Sequence, residues 1–424
     1  MLIVQKFGGS SVADAEKLRR VAGIIADTKK AGNDVVVVLS AQGDTTDDLI
    51  AKAEEITSNP SKREMDMLLV TGEQISISLC AMALQSMGVP AISLLGWQVG
   101  MKTNSDYGNA RIKTLDSERI RRELDEGKVV LVAGFQGINK HDDMTTLGRG
   151  GSDTTAVAIA AKLHADLCQI YTDVEGVYTA DPRKVPTAKK LDEITYDEML
   201  ELASMGAQVL HNRSVELAKR YGVQMEVLSS YVRKPGTKVK EVTKAMEETK
   251  ISGIARDDKI ARIALVGLKD EPGIAYKVLR VLGREKINVD IILQSIGRGD
   301  TKDISVTVAR TELDHARTAL EAEKDISFTV GRTELEHART ALEAEKDVIG
   351  YDHLTVSDQV SKLSIVGAGM INSPGIAGMM FEALANAQIN IHMISTSEIK
   401  ISVLIDSAQA DVAMRAVHRK FFEE

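Results

Sequence analysis

Two apolar runs, Asp34–Leu39 (DVVVVL) and Val129–Ala133 (VVLVA), constrain the fold more than any other feature of the chain. Runs without polar alternation suit strands buried on both faces, as in parallel sheets covered by helices. Leu2–Val4 is β-prone and passes through Gln5-Lys6-Phe7 into Gly8-Gly9-Ser10-Ser11, after which Ala15–Asp27 has helical spacing at Leu18, Val21, Ala22 and Ile25. Met67–Gly88 reads as a largely apolar helix with Glu73 near its start, and Ala165–Tyr171 as a further strand. The alternation predicts a three-layer α/β domain with a mostly parallel sheet, ending near Leu228.

Polar residues with chemical potential collect where these strands end. The early Gly8-Gly9-Ser10 loop between strand and helix can cradle phosphate, although its lysine precedes the glycines, unlike a P-loop. A second glycine loop, within Thr145–Ala161 (TTLGRGGSDTTAVAIAA), sets Arg149, Ser152 and Asp153 at a helix start, a place to hold an anion. Its bland alternative is a turn in which Ser152 or Asp153 is an ordinary N-cap. Glu73, in an apolar helix, either has a buried partner or faces water. Asp173 suits a turn as well as a ligand role.

The chain has 424 residues and a formal net charge of −8, with basic and acidic residues interspersed. That length predicts roughly three domains of ~100–200 residues. No basic stripe for nucleic acid and no polybasic membrane segment stands out. Two cysteines, Cys80 and Cys168, sit in apolar surroundings and read as core thiols of a reducing compartment, so no cysteine-based metal site is expected. Val89–Val99 is too short for a membrane span, which points to a cytoplasmic protein without membrane or nucleic-acid partners.

KFGGSS, SAQGDTTD, REMDMLL with TGEQ, GNARI, VAGFQG, TTLGRGGSDTTAVA and YTDVEGVYTADPR, in this order, resemble the amino-acid kinase family and within it the aspartate kinases. Gln42 stands where that family usually has Met, and Asn212 where Pro is common. The resemblance implies phosphoryl transfer from MgATP to L-aspartate, giving 4-phospho-L-aspartate and ADP, the first step of lysine, threonine and methionine biosynthesis. The residue inventory agrees, since such transfer works by positioning and charge stabilisation. An acceptor carboxylate with a pKa near ~3.9 is already ionised and needs no general base. By resemblance Lys6 and Asp153 are catalytic, with Lys6, Gly8, Gly9 and Ser10 on the phosphates. Ser40, Thr46, Glu73, Arg149 and Ser152 form the aspartate site, and Thr172, Asp173, Tyr178 and Arg183 the remaining ATP contacts. No residue is assigned as a metal ligand; Mg2+ comes with ATP. The alternatives are another amino-acid kinase, such as one acting on glutamate, and a non-catalytic amino-acid-sensing subunit.

The second half is internally repeated. EPGIA at Glu271–Ala275 recurs as SPGIA at Ser373–Ala377, and Ile287-Asn288-Val289 as Ile389-Asn390-Ile391, both at an offset of 102 from Gly273 to Gly375 and from Ile287 to Ile389. Each copy reads as a ferredoxin-like βαββαβ module and resembles the ACT domain. The expected division is a kinase domain over 1–230, a linker over 231–250, a first ACT domain over 260–356, and a second formed by 251–256 with 360–424. In the second, Ile251–Ala255 supplies the strand missing after the last helix, Ala408–Phe421. The resemblance implies lysine and/or threonine as effectors, with contacts at Asp270, Gln294, Asn372, Ser395, Thr396, Ser397 and Glu398. It further implies a homo-oligomer joined through ACT domains, and leaves open whether Met246 starts a separate regulatory polypeptide, as some relatives make from an internal start.

Within the first module, Asp303–Lys324 is followed at once by a near-copy, Asp325–Lys346, at an offset of 22 from Asp303 to Asp325. One expectation places Ile326–Val330 at the sheet's outer edge, packs a helix over Thr333–Glu345 on the sheet and adds Val348–Val356 as a further edge strand. The other keeps four strands and loops one copy out. Deleting Asp325–Lys346 should leave basal activity in a coupled assay unchanged and alter only effector response or assembly. Loss of basal activity in a folded deletion variant would contradict this placement.

Overall fold

A computed structural model describes the chain apart from residues 205–208, 242–250, 270–272, 285–286, 288, 297–300, 311–312, 314–352, 374 and 424. The chain divides into two compact units, Met1–Pro182 with Thr187–Ser252, and Gly253–Glu424 with Arg183–Pro186.

The first unit contains strands β1 (Leu2–Phe7), β2 (Asp34–Leu39), β3 (Ala91–Leu94), β4 (Lys102–Thr103), β5 (Ile112–Thr114), β6 (Val129–Ala133), β7 (Gln136–Ile138), β8 (Met144–Thr146), β9 (Leu167–Thr172), β10 (Glu193–Thr195), β11 (Met225–Ser229) and β12 (Thr237–Lys240). Its helices include α1 (Ala15–Lys30), α2 (Thr45–Ile56), α3 (Lys62–Leu69), α4 (Thr71–Ser86), α5 (Glu118–Asp125), α6 (Gly151–Leu163), α7 (Tyr196–Ser204) and α8 (Asn212–Tyr221). Eight strands form one sheet in the order β10-β12-β11-β9-β1-β2-β6-β3. All neighbouring pairs are parallel except β11 with β12. The valine-rich β2 is buried from Val35 to Leu39. Val35, Val37 and Leu39 join Phe7 and Leu131 in a core closed by Leu18, Val21 and Ile25 of α1 and by Ile77, Cys80 and Leu84 of α4. Each such buried aliphatic side chain stabilises the fold by about 2 kcal/mol. Alternate residues Val4, Val36 and Val38 are equally buried, on the face where α6 packs. The predicted three-layer arrangement is therefore present, with β1 and β2 at its centre.

Lys62–Ser86, spanning α3 and α4, is long and apolar enough by length and composition to cross a membrane, and exceeds the Val89–Val99 stretch weighed from the sequence. Here Ile77, Cys80, Ala81 and Leu84 serve the sheet's core. A second, four-stranded sheet, β5-β4-β7-β8, carries the loops that precede α6. The expected linker over 231–250 requires correction. Thr237–Lys240 is a strand of the main sheet, inserted between β10 and β11, and its alternation puts Thr237 and Val239 inside with Lys238 outside.

The second unit holds β13 (Gly253–Asp257), β14 (Ile260–Lys269), β15 (Val289–Ile296), β16 (Thr301–Ala309), β17 (His353–Ser357), β18 (Val360–Val366), β19 (Met393–Ser397) and β20 (Lys400–Asp406), with α9 (Ile274–Arg284), α10 (Ile376–Asn386) and α11 (Ala410–Phe422). They make two antiparallel sheets, β15-β16-β14-β17 and β13-β18-β20-β19. β13 pairs with β18 from Gly253–Val366 to Asp257–Lys362, so the strand N-terminal to the first module completes the second module's sheet. In the first sheet β14 is flanked by β16 on one side and β17 on the other. His353–Ser357 thus forms an edge strand beside β14, overlapping the expected Val348–Val356 edge strand, and four strands make up this sheet among the described residues. Most of the duplicated segment, Ile326–Val330 and Thr333–Glu345 included, lies outside them. Ile260, Ile291, Val360, Met393 and Leu404 form a small core shared by the two sheets.

Candidate functional site

The two glycine loops converge although they leave different sheets, the first following β1 of the main sheet and the second following β8 of the small one. β1 ends at Phe7 and β2 at Leu39, and the Ser40 N–H donates to the Phe7 carbonyl at 3.2 Å. Gly9 is required there: a Cβ on it would lie 2.6 Å from the Ala41 carbonyl oxygen. Beyond β6, Gly134 leaves no room for a side chain, since a Cβ would meet the Ser152 Oγ at 2.5 Å. The loop into α6 has Gly148 at φ 75° and Gly150 at φ 68°. Gly150 is the residue before the helix, and no side chain caps it. The ordinary N-cap reading of Ser152 or Asp153 therefore fails.

Asp153 instead, in the first turn of α6, turns its carboxylate to Lys6, with Nζ to Oδ1 at 2.7 Å and both side chains largely buried. Lys6, Gly8, Gly9, Ser40, Thr46, Glu73, Arg149, Ser152 and Asp153 all line one cavity of about 840 Å³. Of these, Arg149 is exposed. Glu73, only 3% exposed, accepts the Ala41 N–H at 3.1 Å through Oε1, while its buried Oε2 has no hydrogen-bond partner. Burial pushes its carboxyl up to about 7, against the opposing pull of the Ala41 N–H. The water-facing reading of Glu73 is thus excluded.

Other expected residues lie elsewhere. Ser10 is exposed in the turn Gly9–Ser11, and its carbonyl accepts the Tyr231 hydroxyl at 3.1 Å. Thr172 closes β9, its carbonyl accepting the Ser230 N–H at 2.9 Å and its hydroxyl donating to Asp173 at 3.0 Å. Tyr178 forms a bridge with Lys190. None of these four belongs to the cavity wall, and Arg183 groups with the second unit. In that unit, Gln294 is on the outer strand β15, and Ser395, Thr396 and Ser397 are on the outer strand β19, with Glu398 in the turn that follows. Asn372 ends a short 3-10 turn, Ala368–Asn372. Asp270 lies outside the described residues. Among the described residues no group of three His, Cys, Asp or Glu side chains is placed to hold a metal ion.

Sequence reasoning missed Asp66 in the cavity wall and Arg213 and His211 behind it, which hold the lining segments. Asp66 of α3 accepts hydrogen bonds from Gly108 and Thr146. Arg213 of α8 donates to the carbonyls of Leu147 at 2.5 Å and Ala110 at 3.0 Å and to Asn109 at 3.2 Å. The His211 ring lies so close to Gly150 that a Cβ there would be 2.1 Å from its Cγ. Burial lowers the His211 pKa, with the Asp153 charge opposing.

The sequence profile of the amino acid kinase family matches residues 1–229, and that of the ACT domain matches 263–323 and 363–421. An aspartokinase of Mycolicibacterium smegmatis is 49% identical over 426 aligned positions, covering 99% of this chain and 96% of that protein. Among solved structures, E. coli aspartokinase III in complex with aspartate and ADP (R-state) is 27% identical with a TM-score of 0.79, over 100% of both chains. The same enzyme in complex with lysine and aspartate (T-state) is 26% identical with a TM-score of 0.74, over 99% of both.

A carboxyl raised by burial binds protons in the folded state that the unfolded chain has lost. Glu73 should therefore make stability fall as pH rises from its ordinary value of 4.5 through about 7. The effect is on the order of 3 kcal/mol. Denaturant unfolding of the ligand-free protein between pH 5 and pH 8 should show this loss, and Glu73→Gln should remove it; identical pH slopes in both proteins would contradict the assignment.

Proposed function

The chain belongs to the aspartokinases, within the amino acid kinase family, and from that premise we propose how its own residues divide the transfer of a phosphoryl group from ATP to L-aspartate. The observation that carries the division is the Lys6–Asp153 pair at 2.7 Å, set where both glycine loops meet one cavity. Lys6 neutralises charge that develops on the transferring group, and Asp153 fixes the direction of its ammonium. Gly8, Gly9 and Ser10 offer backbone donors to the phosphates. Thr172, Asp173 and Tyr178, outside the wall of that cavity, are proposed as the nucleotide's other contacts. Mg2+ suits this site as an ion carried on phosphate oxygens with its waters, a mode that needs few protein ligands.

On the acceptor side, the unpartnered Oε2 of Glu73 is a buried acceptor waiting for a donor, and the substrate ammonium supplies one. Arg149 takes a substrate carboxylate in a bidentate pair, while Ser40, Thr46 and Ser152 line the pocket around the acceptor. The reacting carboxylate is ionised at neutral pH, so one of its oxygens attacks the γ-phosphorus as ADP leaves, and no side chain has to remove a proton. The retained Lys6, Asp153, Glu73 and Arg149 count against a non-catalytic sensor.

In the regulatory half, lysine and/or threonine is the proposed effector class, supported by the lysine complex of the E. coli relative. Its proposed contacts are Gln294 in the first module, with Asp270, and Asn372 with Ser395–Glu398 in the second. The outer strands β15 and β19 leave edges that suit pairing across chains of a homo-oligomer.

Lys6→Ala and Asp153→Ala should each lower kcat, the former by about 10²–10³-fold. Arg149→Ala should mainly raise the KM for aspartate, roughly 10–100-fold. An unchanged kcat in Lys6→Ala would overturn the mechanism. Because the ammonium requires ionised Glu73, the KM for aspartate should climb as pH falls below about 7, by up to about tenfold per pH unit. A KM independent of pH between 8 and 6 would remove Glu73 from the ammonium site.

A further inference from the structure

Asp66 is a carboxylate with 1% of its surface exposed, and the phosphoryl-transfer chemistry makes no use of it. Its two oxygens are saturated by neutral donors. The Gly108 N–H reaches both at 3.0 Å, the Thr146 N–H reaches Oδ2 at 2.9 Å and the Thr146 hydroxyl reaches Oδ1 at 2.7 Å. These donors come from two segments distant in sequence. Gly108 belongs to the loop before β5 and adopts φ 82°, a left-handed conformation that presents its N–H to α3. Thr146 is the last residue of β8, directly before Leu147-Gly148-Arg149-Gly150.

The two segments also bind each other. The Ala110 N–H donates to the Thr146 carbonyl at 2.8 Å, and a Cβ on Gly148 would lie 3.1 Å from both the Gly108 carbonyl and Asn109 Oδ1. Arg213 grips the same pair of segments through Leu147 and Ala110. The root of the Arg149 turn is therefore held by a carboxylate at Thr146 and a guanidinium at Leu147. Neighbouring Arg63 extends the attachment of α3 by donating to Asp143 at 2.9 Å.

We infer that Asp66 is the positioning residue for the Arg149 turn and so sets the affinity for the aspartate carboxylate, an inference that rests on the reading of Arg149 as the carboxylate clamp. A carboxylate is required because three donors converge on it. The Asn side chain has one acceptor oxygen, and its NH2 would face a buried N–H. Such a mismatch displaces the turn, and a displacement of about 1 Å at a clamp costs on the order of 10²-fold in the step it serves.

The test is a kinetic cycle on the full-length protein with Asp66→Asn, Arg149→Ala and the double variant. Asp66→Asn should raise the KM for aspartate at least about tenfold, leave the KM for ATP within about twofold and lower kcat less than about threefold. A merely structural defect would instead reduce kcat through lost active enzyme and leave both KM values in place. In the Arg149→Ala background the second substitution should add nothing to the aspartate KM. Full multiplication of the two effects would overturn the role of Asp66 while sparing that of Arg149. No effect of Arg149→Ala alone would overturn the clamp reading and the inference with it. If Asp66→Asn fails to fold, Thr146→Val removes only the 2.7 Å hydroxyl bond. It should raise the aspartate KM in the same direction, about threefold; an unchanged KM there would overturn the inference.

Discussion

The Lys6–Asp153 ion pair joins the two halves of the catalytic unit's chemistry. Lys6 is the penultimate residue of β1, and Asp153 stands in the first turn of α6, so the 2.7 Å contact requires the strand end and the helix start to meet across the sheet's edge. The packing of α6 on β1 and β2 makes that meeting possible, and the small residues Gly134 and Gly151 allow the helix to come close. Both side chains are largely buried but line the cavity. Their pairing is thus preorganisation of a site open to a charged ligand, and it adds little to net stability.

Two buried carboxylates in the same cavity have opposite environments, and the difference assigns their roles. Asp66 has every lone pair occupied by neutral donors and can only hold backbone in place. Glu73 has one oxygen satisfied and one bare, and burial raises its pKa to about 7. A buried acceptor without a donor is costly in the free protein, and on the proposed reading that cost would supply selectivity for an ammonium-bearing substrate.

Much of this was legible in the sequence because it is local. DVVVVL and VVLVA could hardly be anything other than doubly covered strands, and the loop carrying Arg149, Ser152 and Asp153 runs visibly into a helix. The spare strand near Ile251 could be placed because a ferredoxin-like module lacking its fourth strand leaves an unpaired edge. What stayed hidden depends on contacts distant in sequence. Asp66 and Arg213 bind mostly backbone atoms, 42 to 104 residues away, and backbone partners leave no side-chain signature. Thr237–Lys240 reads as linker from its sequence because two of its four residues are lysines. His211 faces glycine, a contact defined by the absence of a side chain.

The most direct test of the account is a double-mutant cycle on Lys6 and Asp153 read by single-turnover phosphoryl transfer at saturating ATP and aspartate. If Asp153 acts by directing Lys6, the double alanine variant should be no slower than Lys6→Ala alone, leaving a coupling of the order of the whole Asp153→Ala effect. Effects that simply multiply would show that the two residues serve the transfer separately, and the pair could no longer be the centre on which this site is built.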